Sequence, residues 1–133
     1  MSAVDRVLAA RLGKFLVVGG TGVVVNNASL YALYQVLRLP LVVASALAVT
    51  LAIANNFVLN DRWTYGRSTL SLRRFFRFSL VSLSGLLVTT GVLWTLVTYL
   101  SVQYLAANLV GIALGTGWNF VGNRAWTWGG GSD

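Results

Sequence analysis

At 133 residues, with 56% hydrophobic and only 10% charged residues and a mean hydropathy of +0.73, the chain is too apolar for an ordinary soluble domain and reads as an all-α integral membrane protein. Cysteine, histidine and glutamate are absent, which excludes a disulfide framework, a Cys/His zinc site, a cysteine nucleophile and a histidine proton relay; no catalytic residue, metal or cofactor is expected. Ten Lys and Arg against three Asp give a net charge of +7, but the cations flank apolar runs instead of forming a solvated basic stripe, so they read as topology signals and not as a nucleic-acid surface.

The first segment, residues 2–12, predicts a short amphipathic helix on the membrane surface, with Val4, Val7, Leu8 and Leu12 on one side. Four apolar stretches follow, each near the 20 or so residues that cross a hydrocarbon core. The first, Phe15 to Leu37, follows Arg6, Arg11 and Lys14 as a signal peptide's apolar run would follow its basic residues. It is too long for that and lacks a small-x-small cleavage site, so a retained span is expected. Asn26 and Asn27 lie near its middle, where polar groups are expensive and are site candidates by default.

A short turn at Arg38-Leu39-Pro40 leads to the second span, Leu41 to Leu59, which ends in NFVLNDRWTY (56–65). The polar connection 61–73 precedes the third span, Phe78 to Leu100, and the turn Ser101-Val102-Gln103 precedes the fourth, Tyr104 to Gly122, ending in NFVGNRAWTW (119–128). Both turns are short enough to force antiparallel neighbours. Asp5, Asp61 and Asp133 all fall outside these spans. Residues 130–133 read as a linker-like tail. Nine of the cations lie before span one, between spans two and three or after span four, and only Arg38 on the other side. By the positive-inside rule, both termini and the 61–73 loop are expected in the cytoplasm.

A shift of 63 residues aligns 11–66 with 74–129 without a gap, with identities at 17 of 56 positions, among them Arg11/Arg74, Phe15/Phe78, Gly22/Gly85, Asn56/Asn119, Asn60/Asn123, Trp63/Trp126 and Thr64/Thr127. Each copy crosses twice, so the second inserts the same way up as the first. The expected architecture is two tandem parallel helical-hairpin repeats related by a pseudo-two-fold along the membrane normal. Together they form one transmembrane domain over 1–129.

Two constellations recur in both copies. In the first, Asn56, Asn60, Trp63 and Asn119, Asn123, Trp126 sit at offsets 0, 4 and 7, which places them on one helical face. With Asn55 beside them, these amides both donate and accept, which suits sugar hydroxyls; interhelical hydrogen bonding is the plainer explanation for any single one. The two tryptophans fit an interfacial belt. In the second, Arg11, Lys14 and Arg74, Arg77 lie three apart at the expected first turn of spans one and three. There they oppose the helix dipole, a conflict that a bound phosphate would relieve; positive-inside anchoring explains each cation singly. The glycines Gly19, Gly20, Gly22, Gly85, Gly91, Gly111, Gly115 and Gly117 are expected to let backbones approach.

At the Arg-x-x-Lys-Phe-x-x-Val-Gly start (11–19) and the two Asn-Phe-x-x-Asn…Trp-Thr ends, the sequence resembles the GtrA-like family of small four-span membrane proteins. The resemblance covers residues 10–128. It implies translocation of a polyprenyl-phosphate-linked sugar across the cytoplasmic membrane for cell-surface polysaccharide synthesis, beside a membrane glycosyltransferase. The family's Asn-Arg-x-Trp-Thr stands intact at 123–127, whereas the first copy reads Asn60-Asp61-Arg62-Trp63-Thr64, so Arg62 and Arg124 are not strictly equivalent.

The expected lipid-phosphate ligands are therefore Arg11, Lys14, Arg74, Arg77, Arg62 and Arg124. The expected headgroup ligands are Asn26, Asn27, Asn55, Asn56, Asn60, Asn119, Asn123, Trp63 and Trp126. No nucleotide site is visible, so movement is expected to run downhill. The thin wall of four short spans suggests a homodimer or larger. The alternative is a scaffold that recruits a glycosyltransferase.

Overall fold

A computed structural model describes residues 2–129. Helix α1 (Ala3–Leu30) continues into a π-helical turn (Tyr31–Val36), and α2 (Leu41–Leu59) into another (Asn60–Thr64). Helix α3 (Leu72–Leu100) has no such extension, while α4 (Tyr104–Gly122) runs on through Asn123–Thr127 as a third π-helical turn. No strand occurs among the described residues. The expected tail at 130–133 lies outside them. Counted with their π turns, the four helices are Ala3–Val36, Leu41–Thr64, Leu72–Leu100 and Tyr104–Thr127, each long and apolar enough to cross a membrane.

The chain divides into two compact units, Met1–Leu70 and Ser71–Asp133. In unit one α1 packs on α2, and in unit two α3 packs on α4. The expected separate surface helix is absent: α1 begins at Ala3 and runs unbroken. Its start is fixed by a capping box, in which Ser2 Oγ accepts from Asp5 N at 3.1 Å and Ser2 N donates to Asp5 Oδ2 at 3.2 Å. Nothing downstream interrupts it, since Gly13 is tolerated within a helix and no proline precedes Pro40. At 28 residues and 1.5 Å rise, α1 is about 42 Å long against a hydrocarbon core of about 30 Å, so its ends reach beyond the apolar layer.

This early start corrects one sequence argument. Arg11 and Lys14 lie two to three turns inside α1, too far from its N-terminus to oppose the dipole there, which acts within the first turn. Only Arg74 is in a first turn, because α3 starts at Leu72 behind Ser71, whose Oγ accepts from Arg74 N at 3.2 Å. A second correction concerns the aspartates. Asp5 falls in the first turn of α1, and Asp61, expected in a loop, is fully buried in the π turn that prolongs α2.

The hairpin turns close in the same way. Arg38 (φ 57°) and Ser101 (φ 54°) adopt left-handed backbone, and Leu39 N donates to Leu33 O and Val102 N to Leu96 O, both at 3.0 Å. These bonds reach back six residues, one further than the five of a Schellman closure, and like that closure they turn on a left-handed residue of the kind usually supplied by glycine. Pro40 then caps α2, its carbonyl accepting from Ala44 N at 2.9 Å, while Gln103 Oε1 accepts from Ala106 N at 3.0 Å at the start of α4.

Between lipid-solvated helices there is little hydrophobic drive to associate, so close contact of small residues must hold each hairpin together. The sequence supplies it on ridges of fourfold spacing. On α1 the ridge is Val18, Gly22, Asn26; on α2 it is Ala44, Ala48, Ala52, Asn56, Asn60, ending in Thr64. In unit two the corresponding ridges are Val81, Gly85, Thr89 and Ala107, Gly111, Gly115, Asn119, Asn123, Thr127. Val18, Ala44, Ala48, Val81 and Ala107 are buried, as are Gly22, Gly85, Gly111 and Gly115. A Cβ on Gly111 would lie 2.7 Å from the Thr89 carbonyl oxygen, and one on Gly115 would lie 2.9 Å from that of Gly85. Gly19, Gly20, Gly91 and Gly117, also expected at contacts, have nothing within 4 Å of such a Cβ.

Candidate functional site

The fourfold ridge explains why asparagine returns at one spacing. Small residues line it near the hairpin turn, and carboxamides take over near the other end. Asn56 packs against Gly22, where a Cβ would fall 2.8 Å from its Cγ, and Asn119 against Gly85, where the same distance is 2.6 Å. One turn further, Asn60 and Asn123 are buried, and Oδ1 of each accepts from a threonine hydroxyl at 2.7 Å, Thr64 in unit one and Thr127 in unit two. Both pairs sit in π-helical turns, closed by Tyr65 N donating to Asn60 O and Trp128 N to Asn123 O, each at 2.9 Å. The wider turn advances the buried face by a residue. Threonine, rather than tryptophan, therefore completes it. Trp63 and Trp126, expected on the amide face, are 48% and 43% exposed.

The exposed tryptophans meet the cations instead. Lys14 Nζ lies 5.5 Å from the Trp63 ring centroid, and the Arg77 guanidinium 5.2 Å from that of Trp126, whose backbone carbonyl also accepts from Arg77 Nη1 at 3.1 Å. Arg11 stacks over Tyr65 at 4.9 Å. A guanidinium resting on a ring face keeps its in-plane N–H edge for oxygen acceptors. Arg74 is 5% exposed, so it is a buried cation rather than an open one. Arg62 and Arg124 are exposed. In each unit these cations gather at the end opposite the hairpin turn, which carries Arg38 in unit one and no cation in unit two.

The middle of α1 stands apart from this cluster. Asn26 and Asn27 lie about 18 Å along the helix from Lys14. Asn26 is half-buried on the ridge facing α2 and Asn27 is exposed, and neither side chain makes a hydrogen bond among the described residues.

Several participants escape the sequence reading. Thr21 and Ser84 hold equivalent places, bonding back to Val18 O at 2.6 Å and Val81 O at 2.7 Å, and each takes a hydrogen bond from the second helix of its unit. Asn55 Nδ2 donates to Thr21 Oγ1 at 3.0 Å, whereas Trp118 Nε1 donates to Ser84 Oγ at 2.7 Å. Thr64 and Thr127 were visible as an identical pair under the 63-residue shift. Trp118 and Asp61 carried no such signal, since each replaces a different residue in the other copy, Asn55 and Arg124.

Fold and site thus define a multi-pass membrane protein whose helical hairpins end in buried amides and ring-stacked cations. The chain belongs to the GtrA/DPMS transmembrane domain family, whose model matches residues 14–128. It is 42% identical over 120 residues to the dolichol-phosphate mannosyltransferase of Pyrococcus furiosus, a match covering 89% of this chain and 34% of that protein. The chain therefore spans about a third of the length of the curated relative it matches.

Proposed function

We propose that this chain carries a polyprenyl-phosphate-linked sugar across the cytoplasmic membrane for surface polysaccharide or glycan synthesis, without nucleotide hydrolysis. The family match supports a role in handling polyprenyl-phosphate sugars, and the relative's name points to the same class of lipid. The observation that carries the reading is the cation stacked on an indole beside buried carboxamides in both units, Lys14 on Trp63 and Arg77 on Trp126. Cations with further N–H donors suit a phosphate, amides suit hydroxyls, and the exposed apolar flanks suit a prenyl tail and bulk lipid.

In this reading residues 1–129 form one domain of two parallel repeats, 11–66 and 74–129, related by a pseudo-two-fold along the membrane normal. Termini and the 61–73 loop face the cytoplasm, as the cation distribution favours. Arg11, Lys14 and Arg77 hold the phosphate, with Arg62 and Arg124 at the rim and Arg74 supporting them from a buried position. Asn55, Asn56, Asn60, Asn119 and Asn123 meet the headgroup near Trp63 and Trp126, and Asn26 and Asn27 mark its path through the apolar layer. The chain acts as a homo-oligomer and is not itself the transferase; with no Glu or His and three scattered Asp, an acid/base pair is hard to assemble.

The test is translocation of dolichyl-phosphate mannose by purified protein in liposomes, wild type against a Lys14→Gln, Arg77→Gln double variant. Two charge-assisted contacts at about 1.5 kcal/mol or more each predict a loss of at least a hundredfold. An unchanged rate sinks the assignment.

A second reading follows from coverage. A chain that matches a third of a named mannosyltransferase suits the membrane part of such an enzyme, or a scaffold for a separate glycosyltransferase. That reading predicts co-purification with the transferase and no transport by the chain alone.

A further inference from the structure

We propose that unit two, and not unit one, binds a hydroxyl group of the sugar between Asn119 Oδ1 and Asn123 Nδ2; the proposal rests on the translocation reading and names the pair of atoms that reads the sugar. Both atoms are buried and have no hydrogen-bond partner, and Asn123 as a residue is 0% exposed. Buried polar atoms left bare are uncommon, and each one asks for a missing partner.

The two atoms ask for the same partner. One is an acceptor and the other a donor, so they need a group that gives one hydrogen bond and takes one. The residues are four apart on a helix, which brings their side chains to about 5–6 Å at Cβ. A single oxygen hydrogen-bonded to both, at about 2.8 Å from each, would satisfy the two atoms together. Only a hydroxyl or a water has this chemistry at this size. A phosphate oxygen cannot donate to Asn119 Oδ1, and an ammonium cannot accept from Asn123 Nδ2.

The contrast with unit one shows why the pair stays open. There Asn56 Oδ1 accepts from Asn55 Nδ2 at 3.2 Å, and Asn55 also reaches Thr21 at 3.0 Å. The amide is answered from within. At the position equivalent to Asn55, unit two has Trp118, whose only donor is committed to Ser84 at 2.7 Å. The carbonyl of Asn119 is left for a ligand. Asn123 does not answer it either: its oxygen is taken by Thr127, and its nitrogen makes no hydrogen bond to the Asn119 carbonyl.

Purified full-length protein in lipid nanodiscs should be titrated with dolichyl-phosphate mannose and with sugar-free dolichyl phosphate. Wild type is expected to prefer the mannosyl lipid. Two variants should lower that preference about threefold to tenfold, the value of one neutral hydrogen bond, with affinity for dolichyl phosphate unchanged. Trp118→Asn supplies the internal donor that unit one has; Asn119→Leu removes the acceptor. Asn119→Leu should melt no lower than wild type, since it deletes an unmet polar atom; an amide serving as interhelical glue would give a lower melting point. Should Asn119→Leu fail to fold, Trp118→Asn, an exposed position, carries the test alone.

If both variants keep the wild-type preference, the two amides are satisfied without the sugar and the proposal is overturned while the translocation reading stands. The same holds if wild type binds both lipids equally. Binding of neither lipid overturns the translocation reading and this proposal with it.

Discussion

The two hairpins share their polar ends and differ in their middles. At the cation end, the equivalent pairs Lys14–Trp63 and Arg77–Trp126, Asn60–Thr64 and Asn123–Thr127, and Gly22–Asn56 and Gly85–Asn119 recur in each unit. Further along, unit one sets Asn26 on α1 and Ala48 and Ala52 on α2, where unit two has Thr89, Gly111 and Gly115. Each middle is self-consistent. Gly111 and Gly115 let α4 come against Thr89 and the Gly85 carbonyl, whereas the buried Ala48 in unit one stands where unit two has no room for a methyl group. What is held in common is a means of placing cations, rings and amides; what varies is how closely the two helices approach beneath them.

The largest effect should come from forcing one middle toward the other. A methyl at Gly111 meets a backbone carbonyl that no rotamer change can move, so Gly111→Ala must separate α3 from α4. The expected cost is about 2–3 kcal/mol, as for overpacking. The reverse swap in unit one, Ala48→Gly, leaves only a small gap and should cost about 1 kcal/mol. Thermal unfolding of the two variants in detergent measures both. Equal losses would erase the distinction between the middles.

A smaller asymmetry is expected at the shared ends. Thr64→Val and Thr127→Val preserve shape but remove the hydroxyl that answers Asn60 or Asn123, at about 1–3 kcal/mol for a buried acceptor left bare. The unit-two variant should lose more. There Asn123 Nδ2 already has no partner among the described residues, so the whole carboxamide would be stranded. Melting curves for the two variants should rank Thr127→Val below Thr64→Val, with a bound mannosyl lipid narrowing the gap by giving Asn123 Nδ2 a partner.

Much of this was legible beforehand because a membrane imposes few solutions on a short chain. Hydropathy and length set the four helices, and Arg38-Leu39-Pro40 and Ser101-Val102-Gln103 marked the turns. Helix starts were less legible. Ser2 and Ser71 cap their helices with side chains that a hydropathy scan ignores, so α1 and α3 begin well before their apolar stretches, and the dipole argument for Arg11 and Lys14 fell with that shift. The π turns were hidden too. Nothing in NDRWT or NRAWT distinguishes an i→i+5 turn from an α-helical one, yet that one-residue difference moves threonine onto the buried face and tryptophan off it. Trp118 was invisible for the opposite reason: repeat matching rewards sameness, and its effect comes from standing where the other copy has Asn55.

The smallest effects lie at the hairpin turns, where the units are alike in backbone and unlike in charge. Arg38 and Ser101 both hold the left-handed conformation that ends the first helix of their hairpin, a state that glycine adopts without the strain a Cβ brings. Ser101→Gly should therefore raise stability by about 0.5–1 kcal/mol, strain relief outweighing the added freedom of the unfolded chain. Arg38→Gly should give a similar gain, and it also removes the one cation on the turn side. Charge bias would then rise in favour of the proposed orientation. Cysteine labelling of the 61–73 loop from the two sides of the membrane separates the contributions: Ser101→Gly should change the melting point only, while Arg38→Gly should also reduce any inverted fraction. If Arg38→Gly increased that fraction, the turn would be held on its side by something other than the distribution of charge, and the cytoplasmic placement of the cation-bearing ends would lose its main support.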